Sequence, residues 1–331
     1  MKIIIFAVFI SAVVVAARTN AAPLEIKDVN IKLEGGVSAS AMYFENPGNL
    51  RRHDSYILND AIVEISPQET DNTQLQFYAG IGILQKQTID RIFAPLPPVD
   101  IELQYGWLDI PAFGSLHIEI GQLATLLGYE SSVSYKNQHA LMGAVYSAQP
   151  SFYPGVRFKG SLGTAQYYLE VTNDSTIGDA SAAAGIYELS DSHRFSISYY
   201  QAINARKTID VVYATRFSNI LIGANLDHHI LDESAPNQDK SGTGLAIYLD
   251  YFSRKWEWPI RFEYLSDGNT GVYGYDTGYT LTFSPTYRFK ENQFIRGELV
   301  TAQADRKPFR NDDGGFEQSQ FVATLQVGMV F

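Results

Sequence analysis

The sequence predicts an all-β protein, a transmembrane antiparallel up-and-down barrel of about sixteen strands, with 14 or 18 strands as the alternatives. Three observations carry this. Apolar residues recur with period two through most of the chain, the connections between these segments are alternately short and long, and the last alternating segment ends on Phe331. No apolar run beyond residue 22 approaches the roughly 20 residues of a membrane helix.

At the N-terminus Lys2 precedes the uncharged run Ile3 to Ala17, and the small residues Ala21 and Ala22 follow. This pattern is that of a secretory signal peptide over residues 1–21, leaving residues 22–331 as a single barrel domain. The first clear alternation is Leu75, Phe77, Ala79, Ile81 and Ile83 against Gln74, Gln76, Tyr78, Gly80 and Gly82. Next come Ile101, Leu103, Tyr105 and Trp107 against Glu102, Gln104 and Gly106. Val156, Phe158 and Leu162 then face away from Arg157 and Lys159, and Tyr167, Leu169 and Val171 away from Gln166, Tyr168 and Glu170. The same reading extends through Ile209 to Thr215, Leu245 to Tyr251, Trp258 to Tyr264 and Ile295 to Leu299. In the last segment Phe321, Ala323, Leu325, Val327, Met329 and Phe331 alternate with Gln320, Val322, Thr324, Gln326, Gly328 and Val330.

Short connections fall at 67–73, 111–115, 163–164, 190–193, 218–219, 253–257 and 288–292. Long ones fall at 45–56, 84–100, 127–154, 172–181, 202–208, 230–243, 266–275 and 303–317. This asymmetry predicts short periplasmic turns and long extracellular loops. A soluble sandwich also has period-two strands, but its outer face would be richly charged. Here one face is nearly free of charge and the other mixes Gln, Tyr, Gly, Arg and Glu, which suits lipid outside and a wet lumen inside.

Composition narrows the function. The chain has no cysteine, so thiolate metal sites, disulfides and cysteine nucleophiles are excluded. A net charge of -11 argues against a nucleic-acid partner. No Gly-x-Ser-x-Gly elbow is present. Asp227, His228 and His229 could supply an acid and base at a strand end, yet alternation sends the two histidines to opposite faces, so they are expected as solvated rim residues. Asp267 to Gly271 opens like a calcium loop but lacks the bidentate Glu at its twelfth position, so a turn is expected. No metal, cofactor or catalytic residue is assigned.

The run LHIEIGQLATLLGYE at Leu116 to Glu130, preceded by GWLDIP at Gly106 to Pro111, resembles the G-x-L-x-T-x-x-G-Y-E segment of a family of bacterial outer-membrane β-barrel porins. The stretch QPSFYPGVRFKG at Gln149 to Gly160 is similar to that family's next element, whereas Val171 to Asp174 departs from its Asn-Gly-Trp. The terminal Phe331 resembles the signal read by the barrel-assembly machinery. The resemblance implies an outer-membrane diffusion channel for small hydrophilic solutes or ions, in contact with lipid and lipopolysaccharide, with a homotrimer as one arrangement. A barrel enzyme of protease or lipase type and a structural or adhesive barrel are the alternative functions.

The longest connection, Leu127 to Pro154, contains Ala140, Leu141, Met142, Ala144 and Val145, enough for a short helix with one apolar side. A loop folded inward after the fifth strand would bury that side and narrow the lumen; the competing reading is a wall strand at Ala140 to Tyr146. The candidate pore-lining residues are Glu102, Glu119, Glu130, Lys136, His139, Arg157, Lys159, Glu170, Arg261, Glu263 and Arg296. In this reading the loop groups Glu130, Lys136 and His139 face Arg157 and Lys159 across the solute path.

Overall fold

The computed structural model describes residues 31–46, 54–68, 75–85, 101–173, 181–189, 193–202, 206–231, 241–268, 270–273, 277–306, 308–311 and 313–331. The expected signal peptide at residues 1–21 lies outside the described residues. The wall begins with β1 (Ile31–Phe44), β2 (Asp54–Pro67), β3 (Gln76–Leu84), β4 (Glu102–Phe113) and β5 (Leu116–Ala124). It continues with β6 (Phe152–Leu162), β7 (Ala165–Thr172), β8 (Ser181–Leu189), β9 (His193–Ala202), β10 (Arg206–Phe217) and β11 (Ile220–Leu231). Then follow β12 (Ser241–Ser253), β13 (Trp256–Ser266), β14 (Thr277–Phe283), β15 (Thr286–Lys290) and β16 (Gln293–Ala304). A two-residue ladder, β17 (Phe309–Arg310) with β18 (Phe316–Glu317), decorates the last connection before β19 (Ser319–Val330).

From β1 to β14 consecutive strands pair antiparallel, β14 and β15 both pair with β16, β16 pairs with β19, and β1 pairs with both β2 and β19, so the sheet closes on itself. Closure removes every free edge. β14 and β15 both lie between β13 and β16 and are two halves of one wall strand, interrupted at Ser284 and Pro285. Pro285 lacks an N–H, yet the ladder resumes around it because Ser284 N–H donates to Pro259 and Gly297 N–H donates to the Pro285 carbonyl, both at 2.9 Å. Counted this way the wall has sixteen strands. The terminal residue seals the join: Gly35 and Phe331 exchange both backbone hydrogen bonds at 2.9 Å.

The outer face is apolar, with Phe158, Leu169, Ile209, Ile222, Leu249, Phe262 and Leu325 exposed on it. Trp256 and Trp258 stack at 5.2 Å near the short-turn end of β13 and both are exposed, as an aromatic girdle requires. One strand departs from the simple alternation. Leu103 pairs with Ile81 but Tyr105 pairs with Gly80, so Gln104 is bulged out of register. Leu103 and Leu108 therefore face outward, while Tyr105 and Trp107, which the sequence pattern puts on the same face as Leu103, turn into the barrel.

The connection between β5 and β6 lies inside the barrel, not in the wall, which corrects the wall-strand alternative. It carries a 3-10 turn at Ser134–Lys136 and a one-turn helix, α1 (Ala144–Ser147). Leu141, Ala144, Val145 and Ala148 form one apolar cluster with Met42, Phe44, Ala246, Leu265, Val300 and Ala302 of the wall. The inner face is thus apolar just where the loop covers it.

Candidate pore and its inward loop

The loop is fixed by a set of charged wall residues that lie beneath it. Glu298 accepts the backbone N–H groups of Ala140 at 2.7 Å and Leu141 at 2.9 Å, plus the Ser284 hydroxyl at 2.7 Å. Glu263 accepts the Val145 N–H at 3.0 Å and the Thr280 hydroxyl at 2.7 Å. Arg261 pairs with Glu130 at 2.6 Å and donates to the Leu141 carbonyl at 3.0 Å. Arg296 donates to the Asn137 carbonyl at 2.7 Å and to Gln326 at 2.8 Å. Irregular backbone packed inside the barrel needs such partners, because an unmet buried N–H or C=O costs about 1–3 kcal/mol where no water reaches it.

Two further anchors lie toward the loop's ends. Asp60 accepts the Ser134 N–H at 3.1 Å and also its hydroxyl. Asp227 accepts from the Gln149 amide at 2.8 and 3.0 Å, and Asp210, its cross-strand partner, accepts from Asn225 at 2.7 Å and from the Gly128 N–H at 3.2 Å. Asp227 is therefore buried beneath the loop and His229 is buried against Thr208 and the Tyr273 ring, which corrects their reading as rim residues. Their neighbour His228 turns away to Thr243, 2.9 Å distant. Among the loop's own groups, burial together with the nearby Arg261 and Arg296 holds the His139 imidazole well below its ordinary range, so it is neutral. Glu298 lies 3.8 Å away but is already saturated by three donors, and burial prevails.

The sequence-derived candidates divide into groups. Arg261, Glu263 and Arg296 point inward as their phase requires, but they are fully covered and hold the loop instead of meeting solute. Glu119, Arg157 and Glu170 form a buried chain with separations of 2.8 and 2.6 Å, and Lys159 joins it at 3.0 Å through Glu119 with its own side chain half-buried. Glu102 stands exposed at the start of β4. The expected pairing of loop groups with Arg157 and Lys159 is corrected: Glu130 meets Arg261, Lys136 meets Glu64 at 2.5 Å, and His139 bonds Ser284 at 2.7 Å. The sequence reading missed Asp60, Asp210 and Glu298, whose inward strand phase alone was the available signal, and Gln149, a loop residue with no strand phase to read.

A cavity of about 410 Å³ stays open between the loop and the wall of β1 to β6, and another of about 260 Å³ lies between the loop and Ala214, Leu221 and Tyr248. Glu64, Tyr78, Tyr105, Trp107, Lys136 and Arg194 are among the lining residues of the larger one. It carries both charge signs, hydroxyls and rings, and no group of acids and histidines suited to a metal occurs among the described residues.

Residues 99–331 match the family described as "Putative beta-barrel porin-2, OmpL-like". No curated protein matches the chain. Among solved structures, outer-membrane expressed OmpT of Vibrio cholerae is similar at 11% identity and a TM-score of 0.62, over 92% of this chain and 99% of that one. An in-vitro folded form of that protein is described as a trimer form. The anion-selective porin from Comamonas acidovorans is similar at 10% identity and a TM-score of 0.62, over 91% and 99% of the two chains. A triple mutant of Rhodopseudomonas blastica porin is similar at 16% identity and a TM-score of 0.54, over 91% and 100%. At these identities the likeness is one of fold.

Proposed function

This chain belongs to the "Putative beta-barrel porin-2, OmpL-like" family and is an outer-membrane porin channel, and from that premise we propose that it passes small hydrophilic solutes passively and performs no catalysis. The observation that carries the reading is the asymmetry of the lumen. The inward loop is tied to the wall of β13 and β16 through Glu130, Glu263, Glu298, Arg261 and Arg296, and between it and the wall of β1 to β6 a cavity of about 410 Å³ with charged, hydroxyl and aromatic lining is left. A barrel built only for structure or adhesion has no reason to retain that cavity. Lys136, Glu64, Glu130 and Arg194 are the proposed lining charges of the narrow zone. Export through residues 1–21, recognition of Phe331 by assembly machinery and a homotrimer complete the proposal; the trimer draws support from the trimer form of a similarly folded protein. Reconstitution in planar bilayers should give stepwise ionic conductance. A pure preparation that inserts without any conductance would overturn the channel reading.

A further inference from the structure

The larger cavity has one wall unlike the rest. Tyr78 of β3 and Trp107 of β4 are cross-strand partners whose rings stack at 5.1 Å with an interplanar angle of 14°. Trp107 is followed by Tyr105 at 5.9 Å, and Tyr105 by Phe152 of β6 at 5.2 Å and 21°. All four rings are half-buried and line the same cavity. They form a continuous aromatic strip on the inner wall, where a wet channel calls for polar groups.

Local structure is spent on building this strip. The Gln104 bulge turns Tyr105 and Trp107 from the lipid face to the lumen, and the Gln104 amide is tied back to the Gly82 carbonyl at 3.0 Å. Gly80, opposite Tyr105, has no room for a side chain: a Cβ there would stand 2.4 Å from the ring. One face of Tyr105 thus lies flat on Gly80; Phe152 overlaps part of the other, and the rest of it borders the cavity. Its hydroxyl donates to Glu64, which fixes the ring.

Opposite the strip the loop supplies Glu130, Ser131, Ser132 and Lys136. The two carboxylates are largely satisfied within the protein. Glu64 is held by Lys136, Tyr105 and Tyr135, and Glu130 by Arg261, Tyr248 and the Gly143 N–H. What the cavity offers is therefore hydrogen-bonding capacity without a strong excess charge, facing flat apolar rings. We propose that this strip is a binding track for neutral saccharides, whose C–H faces stack on Tyr105 and Trp107 while their hydroxyl edges bond the loop. A quaternary ammonium ion would also favour rings and acids, but Lys136 and Arg194 share the same cavity and oppose it.

The inference rests on the channel reading and is tested on the reconstituted full-length protein. Maltotriose should block the ionic current in a concentration-dependent way, at lower concentration than sorbitol, which has hydroxyls but no ring face. Trp107→Ala and Tyr105→Ala should each raise the half-blocking concentration roughly tenfold, as loss of one ring contact implies, while the ionic current persists and, with the lining ring removed, increases. Tyr105→Phe, which keeps the ring and loses the bond to Glu64, should retain the block. Maltotriose no better than sorbitol, block undiminished in Trp107→Ala, or block by choline instead of maltotriose would each overturn the saccharide track. Absence of any ionic current would overturn the channel reading itself, whereas ionic current without saccharide block overturns only the track.

Discussion

Leu169 and Glu170 are neighbours on β7 that face opposite media. Leu169 is 54% exposed on the outer wall, and Glu170 is fully buried against Arg157 and the Tyr153 hydroxyl. Leu169→Arg should cost roughly 2–4 kcal/mol near the bilayer midplane, read as a lower unfolding midpoint in lipid vesicles; an unchanged midpoint would show that the strand phase is wrong. Sequence phase alone makes Glu170→Arg a mild inner-wall change, but the ion pair reverses that expectation, because the variant sets one guanidinium against another. A second residue-scale prediction concerns acid. His139 is held neutral by burial beside Arg261 and Arg296, so its folded-state pKa lies below that of the unfolded chain. The unfolded chain then binds more protons as pH falls below about 6.5, and stability is lost in that direction, by at most about 1.4 kcal/mol per pH unit. His139→Asn should flatten this part of the decline in heat-unfolding midpoints between pH 7 and pH 5. An equally steep decline in the variant would locate the acid sensitivity elsewhere.

At the scale of elements, the loop between β5 and β6 depends on Glu298 more than on any single apolar contact, since that carboxylate receives two consecutive backbone N–H groups at Ala140 and Leu141. Glu298→Ala leaves both unmet, a loss of about 1–3 kcal/mol for each, and single-channel records should gain fluctuations between narrow and wide levels. Deleting Lys136 to Val145 should go further and give one steady, higher conductance. An unchanged conductance after the deletion would show that the loop does not narrow the path. How much of this was legible follows from what a pattern can encode. The wall strands begin and end within a few residues of the bounds that the alternation gives, because a strand's phase and length are local properties; the connection expected as long at 202–208 is the exception, since β9 runs to Ala202 and β10 begins at Arg206. The loop's inward course was also readable from Ala140 to Val145, an apolar run that water would solvate poorly. Its partners were not, since Glu298, Glu263 and Asp60 become neighbours of the loop only through barrel closure. The Gln104 bulge was equally hidden: Leu103, Tyr105 and Trp107 keep perfect period two in sequence, and only pairing with Gly80 and Ile81 shows the slip.

For the whole molecule the open question of selectivity turns on where the charge sits. On the proposed export, loss of Lys2 and Arg18 with residues 1–21 would leave 23 basic against 36 acidic residues, a net of -13. Much of that excess is withdrawn from the solute path. Glu170, Glu263 and Glu298 are covered, and Asp210 and Asp227 lie under the loop. In the cavity Glu34, Glu64 and Glu130 remain beside Lys136 and Arg194, so the local imbalance is small. Exposed charges beyond about 10 Å are screened at 0.1 M salt, which limits what the rest of the surface adds. A weak cation preference is the expected result, measured as the reversal potential in a tenfold salt gradient. Lys136 is the sensitive point, because its side chain is still 43% exposed while pairing with Glu64. Lys136→Glu should turn weak cation preference into a pronounced one and steepen it at low salt, where screening relaxes. Clear anion preference in the unmodified channel, or a reversal potential indifferent to Lys136→Glu, would place the selective charge outside this narrow zone.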